Sequence, residues 1–398
     1  MESNKLSFFS GSMLWFGAAI SIAEISTGAL LAPLGFWTGI TAIFIGHVIG
    51  CILFYFAGLI GANSRKSAME TVGLSFGRYG SVFFSVLNVL QLLGWTAVMI
   101  YIGADAFGSA VNDRIGISNN SIWCIIIGVL IIIWIATGIK NVGKLNNISV
   151  VALLVLTVIL SVLIFRGGEA APLTKDVMSF GLALELSIAM PISWLPLISD
   201  YTRHTDKPKT FTLVSTLSYF FGSCLMYLIG LGAAIFVGNS DIVQILMKAG
   251  LGAAAMLIII LSTVTTTYLD VFSAAESMQN IKPKWNSKLI GITAGVIGTM
   301  IAIFIPITLY EDFLYLIGSV FVPMAVILIS DYFILHKREV TKQRSVVNAS
   351  LWVLGFIIYR VFLGVNTILG STIPVIVIIL ILSIVTDYLL KRMGKKHV

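Results

Sequence analysis

Charge is scarce in this chain. Of 398 residues only 11% are Asp, Glu, Lys or Arg, while 58% are hydrophobic; a soluble domain carries about 25% charged residues. Too few charges remain to cover a water-facing surface, which excludes an ordinary soluble fold. Cysteine is scarcer still. Cys51, Cys124 and Cys224 each lie within an apolar run, with no CxxC spacing. That argues against a disulfide framework or a thiolate metal centre and leaves them as small packing residues. The sequence also lacks HExxH, a phosphate-binding GxxxxGK[ST] loop and paired histidines within apolar runs, the constellations an integral membrane enzyme would need.

What is present is apolar length. Runs of roughly 20 residues recur along the chain, enough to cross a hydrocarbon core of about 30 Å. Twelve spans are predicted, roughly at 12–36, 38–61, 80–107, 120–138, 145–165, 178–200, 212–237, 251–279, 288–307, 312–334, 348–365 and 372–390. The chain therefore reads as an all-α integral membrane protein with short connections. Met1–Ser12 carries one lysine and no processing site, so no cleaved leader is expected.

Lysine and arginine favour cytoplasmic loops. With the N-terminus inside, 20 of the 25 Lys and Arg fall on cytoplasmic segments and four (Arg114, Arg166, Lys175, Lys248) outside, with Arg360 in a span. A missed span would invert every later loop and destroy this bias, so it supports both the span count and cytoplasmic termini. The net charge of +7 is this inside bias and calls for no nucleic-acid partner.

Two short runs interrupt the apolar pattern. "SIAEIS" (21–26) lies in span 1 and "SIAMPIS" (187–193) in span 6. A repeat of five spans is odd, so its second copy must run the opposite way through the membrane. Residues 1–165 and 166–335 then form inverted repeats, followed by two further spans in 336–398. Interrupted helices in corresponding places of two halves are the sequence signature of a carrier site. Pro191 and Pro196 are expected to break span 6, and such breaks survive in lipid only where the freed peptide groups face protein or a polar cavity.

Glu24 is the sharpest single residue. A carboxylate near the bilayer centre costs about 2.5–3.5 kcal/mol, so it reads as an acceptor for a substrate amine or a proton carrier, against a buried structural contact. Glu185, on the outer side of the span 6 interruption, reads either as a functional carboxylate or as one that simply sits at the mouth. In span 8, Ser262, Thr265 and Thr266 stand at i, i+3 and i+4, three hydroxyls on one face; they suit a small hard cation such as Na⁺, or simply bond carbonyls one turn back. Asp270 follows one turn later. In span 3, Asn88, Gln91 and Trp95 form a polar–aromatic stripe, able to stack on and read a flat heterocycle or to glue helices together. Trp194 is a second candidate platform, and Ser193 a polar neighbour. Asp200 is expected to pair with Arg203, and His47 reads as a packed polar contact.

Five segments, "WFGAAISIAEISTGALLAPLGF" (15–36), "NVLQLLGWTAVMIY" (88–101), "SWLPLISDYTR" (193–203), "LSTVTTTYLDVFSAAESMQNI" (261–281) and "YLIGSVFVPMAVILISDYFI" (315–334), together resemble the nucleobase:cation symporter-1 family. Within it they look most like the hydroxymethylpyrimidine transporters, relatives of the cytosine permeases. The resemblance covers essentially the whole chain. It implies the leucine-transporter fold with its 5+5 inverted repeat, alternating access, and a small planar pyrimidine held between spans 1, 3, 6 and 8. It further implies a stacking role for Trp95, and a sodium site of Ser262, Thr265 and Thr266 completed by backbone carbonyls within Ala19–Ile22, taken as those of Ala19 and Ile22. Where many relatives carry an asparagine in span 8, this sequence has "TTTYLD", leaving Asp270; Met99 replaces a glutamine, so Gln91 stands in from the preceding turn. The expectation is a symporter in a bacterial plasma membrane, importing hydroxymethylpyrimidine with Na⁺ or H⁺ as coupling ion and no other cofactor. Substrate contacts are assigned to Glu24, Gln91, Trp95, Ser193, Trp194 and Asp270. A permease for cytosine, another nucleobase or allantoin is the nearest alternative, with a passive channel or membrane enzyme further off.

Overall fold

The structure, a computed structural model, describes residues 7–116, 119–137, 142–166, 178–238, 252–305, 307–365 and 367–394. Among them the regular elements are all helical: α1 (Phe8–Ala19), α2 (Ile22–Leu30), α3 (Phe36–Ser64), α4 (Ala68–Ile115), α5 (Asn120–Thr137), α6 (Val142–Phe165), α7 (Phe180–Thr202), α8 (Pro208–Gly232), α9 (Gly252–Ile281), α10 (Ser287–Phe304), α11 (Tyr310–Ile329), α12 (Lys342–Leu363) and α13 (Thr372–Gly394). Helices α1 and α2 share the first expected span, and each other helix falls on one of the remaining spans. Among the described residues eight helices are long and apolar enough to cross a membrane, nine when α1 and α2 count as one bent span.

Burial ranks the helices. The apolar stretch of α7 is 94% buried, against 22% in α12 and in α13, so α7 lies at the centre and the last two helices at the periphery. It packs against α3, α11 and α4, while α4 lies along α9 and α10. Helix α8 covers α1, α2 and α3. Its contact with α2 depends on two glycines: a Cβ on Gly28 would come 2.2 Å from the Tyr227 carbonyl oxygen, and one on Gly230 would come 1.8 Å from that of Ile25. Backbones this close need a residue without a side chain.

Between α1 and α2 the chain bends by 50°. Ser21 is extended (φ −136°, ψ 154°) and its hydroxyl caps α2 by accepting the Glu24 N–H at 3.2 Å. The expected partner break in span 6 does not occur. Helix α7 winds through both Pro191 and Pro196 without leaving helical conformation. Two carbonyls near the second proline also take side-chain donors from α4: the Gln91 amide donates to Ser193 O at 3.1 Å, and the Asn88 amide to Pro196 O at 3.4 Å. One broken span and one proline-bearing continuous span therefore meet at the centre.

Glu185 lies far from that centre's polar groups. Its Oε1 accepts from the hydroxyls of Tyr359 and Thr372. Its Oε2 accepts the backbone N–H of Ser371 at 2.9 Å and of Thr372 at 3.0 Å. The carboxylate of α7 thus caps the start of α13 and holds α12 beside it, a favourable place for negative charge. Glu185→Ala is expected to cost on the order of 3 kcal/mol of stability and Tyr359→Phe about 1 kcal/mol, measurable by thermal unfolding in detergent.

Candidate functional site

Four helices converge on the bend. Ser262 of α9 donates its hydroxyl to Ile20 O at 3.2 Å, which brings α9 against the bare peptide groups between α1 and α2. Asn88 of α4 donates to Ser277 Oγ of α9 at 2.8 Å, besides its bond to Pro196 O. Gln91 ties the same amide system together, donating to Asn88 Oδ1 at 2.8 Å. With Gly103 facing Thr263 and Asn88 bonded to Ser277, α4 and α9 run antiparallel in a register that brings Trp95 level with Asp270. That pairing is set by two contacts far apart in sequence.

Several buried polar atoms on these helices have no partner among the described residues: Trp95 Nε1, Gln91 Oε1, Thr266 Oγ1, Thr267 Oγ1 and Asp270 Oδ2. A buried donor or acceptor left unpaired costs about 1–3 kcal/mol, so native proteins supply a ligand, ion or water for it. Trp95 meets Tyr310 and Phe313 edge-on, with centroids 6.0 and 5.7 Å away. Tyr310 in turn shares a 2.9 Å hydrogen bond with Thr27 of α2. Beside this aromatic group, a cavity of about 320 Å³ is lined by Gly94, Tyr101, Ile305, Tyr310 and Phe313 among others.

Polar contacts cross the Lys/Arg-rich end, where a cavity of about 430 Å³ is lined by Lys66, Glu70, Arg78, Asn280 and Arg338 among others. Arg203 pairs with Glu276 of α9 at 2.7 Å and approaches Glu70 at 3.9 Å. Asp200 does not pair with Arg203, as the sequence suggested. It accepts instead from the Ala68 N–H at 2.8 Å and the Ser273 hydroxyl at 2.9 Å. An exposed Arg65–Asp206 pair lies at the same end.

The structure divides the sequence-predicted residues. Gln91, Trp95 and Asp270 lie on the two paired helices with free polar atoms. Ser193 and Trp194 sit on the adjoining α7, but the Ser193 hydroxyl donates to Met190 O at 2.6 Å. Trp194 packs edge-on to Trp15 at 5.9 Å, within a cluster that also holds Tyr219 and Tyr201. Glu24 is committed elsewhere: Tyr219 donates to its Oε1 at 2.8 Å and Ser223 to its Oε2 at 2.7 Å. The carboxylate expected to receive a substrate amine is thereby turned onto α8. Ser262 and Thr266 are both buried, and Ser262 reaches the bend, whereas the Thr265 side chain lies outside the described residues. Ile20, between the expected contributors Ala19 and Ile22, supplies the carbonyl that Ser262 reaches; the Ala19 carbonyl accepts the Ser21 N–H at 3.0 Å. Sequence reasoning did not single out Tyr219 and Ser223. Their i, i+4 spacing on α8 puts two hydroxyls on one face, yet nothing local pairs that face with Glu24.

A bundle of membrane-spanning helices around a broken span, with orphaned polar groups in its middle, defines a transporter of the leucine-transporter-like fold. The chain belongs to the family described as permease for cytosine/purines, uracil, thiamine, allantoin, matched over residues 2–351. It is a transporter and not an enzyme. It is 28% identical over 341 residues to the cytosine permease of Escherichia coli strain K12, covering 84% of this chain and 76% of that one. To the hydantoin permease of Microbacterium maritypicum it is 24% identical over 363 residues, covering 84% and 74%. Among solved structures it resembles Mhp1, a nucleobase-cation-symport-1 family transporter in a closed conformation with bromovinylhydantoin bound. That match has a TM-score of 0.79 at 20% identity, covering 99% of this chain and 96% of the other. A Na⁺-coupled sialic acid symporter matches with a TM-score of 0.71 at 16% identity, covering 96% and 90%.

Because Asn88 joins α4 to both α7 and α9, Asn88→Ala is expected to lower stability by about 2 kcal/mol. Thermal unfolding in detergent would measure the loss.

Proposed function

We propose that the protein is a symporter that imports a planar amino-pyrimidine across a bacterial plasma membrane, with 4-amino-5-hydroxymethyl-2-methylpyrimidine as the substrate. The observation that carries this reading is the set of unpaired buried groups on α4 and α9: the Trp95 N–H, Gln91 Oε1 and Asp270 Oδ2. Two acceptors and an indole suit a flat ring bearing an exocyclic amine, which donates where these side chains accept. Trp95 stacks on the ring, Gln91 and Asp270 read its edge, and Ser193 and Trp194 close the α7 side. A second reading, cytosine, is favoured by the likeness to the Escherichia coli cytosine permease, since cytosine presents a comparable amino-pyrimidine edge.

The coupling ion in this reading is Na⁺, held by hydroxyls of Ser262, Thr265 and Thr266 and carbonyls at the α1–α2 bend, Ala19 and Ile22 among them. Oxygen ligands of this kind suit a hard cation. The approach of Ser262 to Ile20 O and the unpaired Thr266 hydroxyl support it. Residues 1–165 and 166–335 act as the two oppositely oriented repeats, with 336–398 appended, and both termini cytoplasmic.

Uptake of labelled hydroxymethylpyrimidine into proteoliposomes, with Na⁺ and pH gradients set independently, tests the reading; a panel of unlabelled cytosine, other nucleobases and allantoin ranks the substrates. Accumulation above the external concentration is expected, and mere equilibration would mean a channel. Trp95→Ala should weaken substrate binding by about 1–3 kcal/mol, a factor of roughly 5 to 150; unchanged affinity for every pyrimidine rejects the stacking role. Ser262→Ala with Thr266→Ala should abolish Na⁺ stimulation of uptake, and retained stimulation rejects the hydroxyl site.

A further inference from the structure

Lysines gather where α9 passes into α10. Residues 282–288 read KPKWNSK, and no Asp or Glu occurs from 277 to 310. Glu276, the last carboxylate before them, is committed to Arg203 at 2.7 Å. Among the described residues no ion pair involves Lys282, Lys284 or Lys288, and all three are exposed. Neighbouring ammonium groups without a counter-charge repel one another, and an anion placed among them is attracted by all three.

The connection is held in shape. The Trp285 N–H donates to Lys282 O at 3.1 Å and closes a turn. The Gln279 amide, near the end of α9, donates to Trp285 O at 3.1 Å and to Ser287 Oγ at 2.6 Å. Asn286 caps α10, its Oδ1 accepting the N–H groups of Lys288 and Leu289 at 2.9 and 3.2 Å. Arg78 of α4 donates to Ile281 O at 3.1 Å and ties the turn to a second helix. The lysines therefore spring from a fixed turn at the N-terminal end of α10, where the helix dipole also favours negative charge.

An apolar groove adjoins this turn. A cavity of about 340 Å³ runs between α4, α9 and α10, lined by Val89, Leu93, Met278, Leu289, Ile290 and Ile297 among others. Trp285 forms part of its wall. Lys282 Nζ lies over that indole, 5.5 Å from the ring centroid, a cation–π contact that keeps an ammonium at the rim of the groove. The groove faces the bilayer: Leu289 is 65% exposed, and only 28% of the apolar stretch of α10 is buried. Its α10 wall, from Leu289 to Ile297, is about 12 Å long, a shape that suits an acyl chain better than a compact solute.

We propose that this junction binds an anionic phospholipid from the leaflet at the Lys/Arg-rich end. The phosphate sits among Lys282, Lys284 and Lys288, and one acyl chain fills the groove. Neither half selects such a ligand alone: the lysines attract any anion, and the groove takes any lipid. Their meeting at Trp285 requires both features in one molecule, as in basic pockets between membrane helices that recognise anionic head groups. The bound lipid bridges α4, which carries Trp95, to α9 and α10. It lies outside the proposed substrate and ion sites and does not depend on which heterocycle is carried.

Native mass spectrometry tests the site on the full-length protein, without substrate. The protein is incubated with phosphatidylglycerol or with phosphatidylcholine of the same acyl chains. Phosphatidylglycerol should be retained roughly a hundred-fold better, about five-fold for each lysine. The triple variant Lys282→Gln, Lys284→Gln, Lys288→Gln should erase that preference. Thr293→Trp and Ile297→Trp each fill the groove from an exposed position on α10, and should expel phosphatidylglycerol with every lysine in place; if one does not fold, the other decides. Equal retention of the two lipids, or a preference that survives the triple variant, overturns the proposal. The same loss in Lys207→Gln with Lys209→Gln, or retention unchanged by the groove variants, also overturns it, because either reduces the lysines to a diffuse surface charge. So does a dimer that the tryptophan variants dissociate, since the groove is then filled by a second copy of the chain.

Discussion

Peptide groups stripped of helical partners inside an apolar bundle have no water to bond, and each costs several kcal/mol if left bare. The interruption at Ile20 and Ser21 imposes that constraint on everything around it. Ser21 answers part of it locally by capping α2, and Ser262 answers part of it from α9. Close approach of α8, permitted by Gly28 and Gly230, seals the other side. The polar centre of the protein is thus organised around a defect in one helix, and the neighbouring helices are placed by what that defect needs.

The second central helix solves a different problem. Prolines in α7 remove two donors, yet the chain stays helical through both, with 94% of its apolar stretch enclosed by other helices. Enclosure replaces flexibility there. The asymmetry places the bare backbone on the α1–α2 side and leaves α7 as a wall with aromatic bulk, Trp194 among it.

Much of this was legible in the sequence, and the reasons differ by feature. Span positions follow from apolar length, so every expected span coincides with a helix or, in one case, a bent pair. The bend in span 1 was legible because a Ser–Ile–Ala–Glu run is too polar for buried helix. Continuity of α7 was not, since proline chemistry is local while the enclosure of α7 by α3, α4 and α11 is a property of packing. The pairing of Asp200 with Ala68 N and Ser273, in place of Arg203, is a property of three helix ends meeting. Likewise Glu24 could be flagged as costly from one residue in its context, but its partners Tyr219 and Ser223 required the packing of α8.

Glu185 carries a mechanical implication. Four hydrogen bonds converge on its carboxylate from Tyr359, Ser371 and Thr372, in an environment where none is cheaply replaced. Any tilt of α7 against the two peripheral helices must either shear all four or turn about that point. The carboxylate behaves as a fulcrum: the far end of α7, with Asp200 and Arg203, has the longest lever arm, and it is there that small rotations become large displacements.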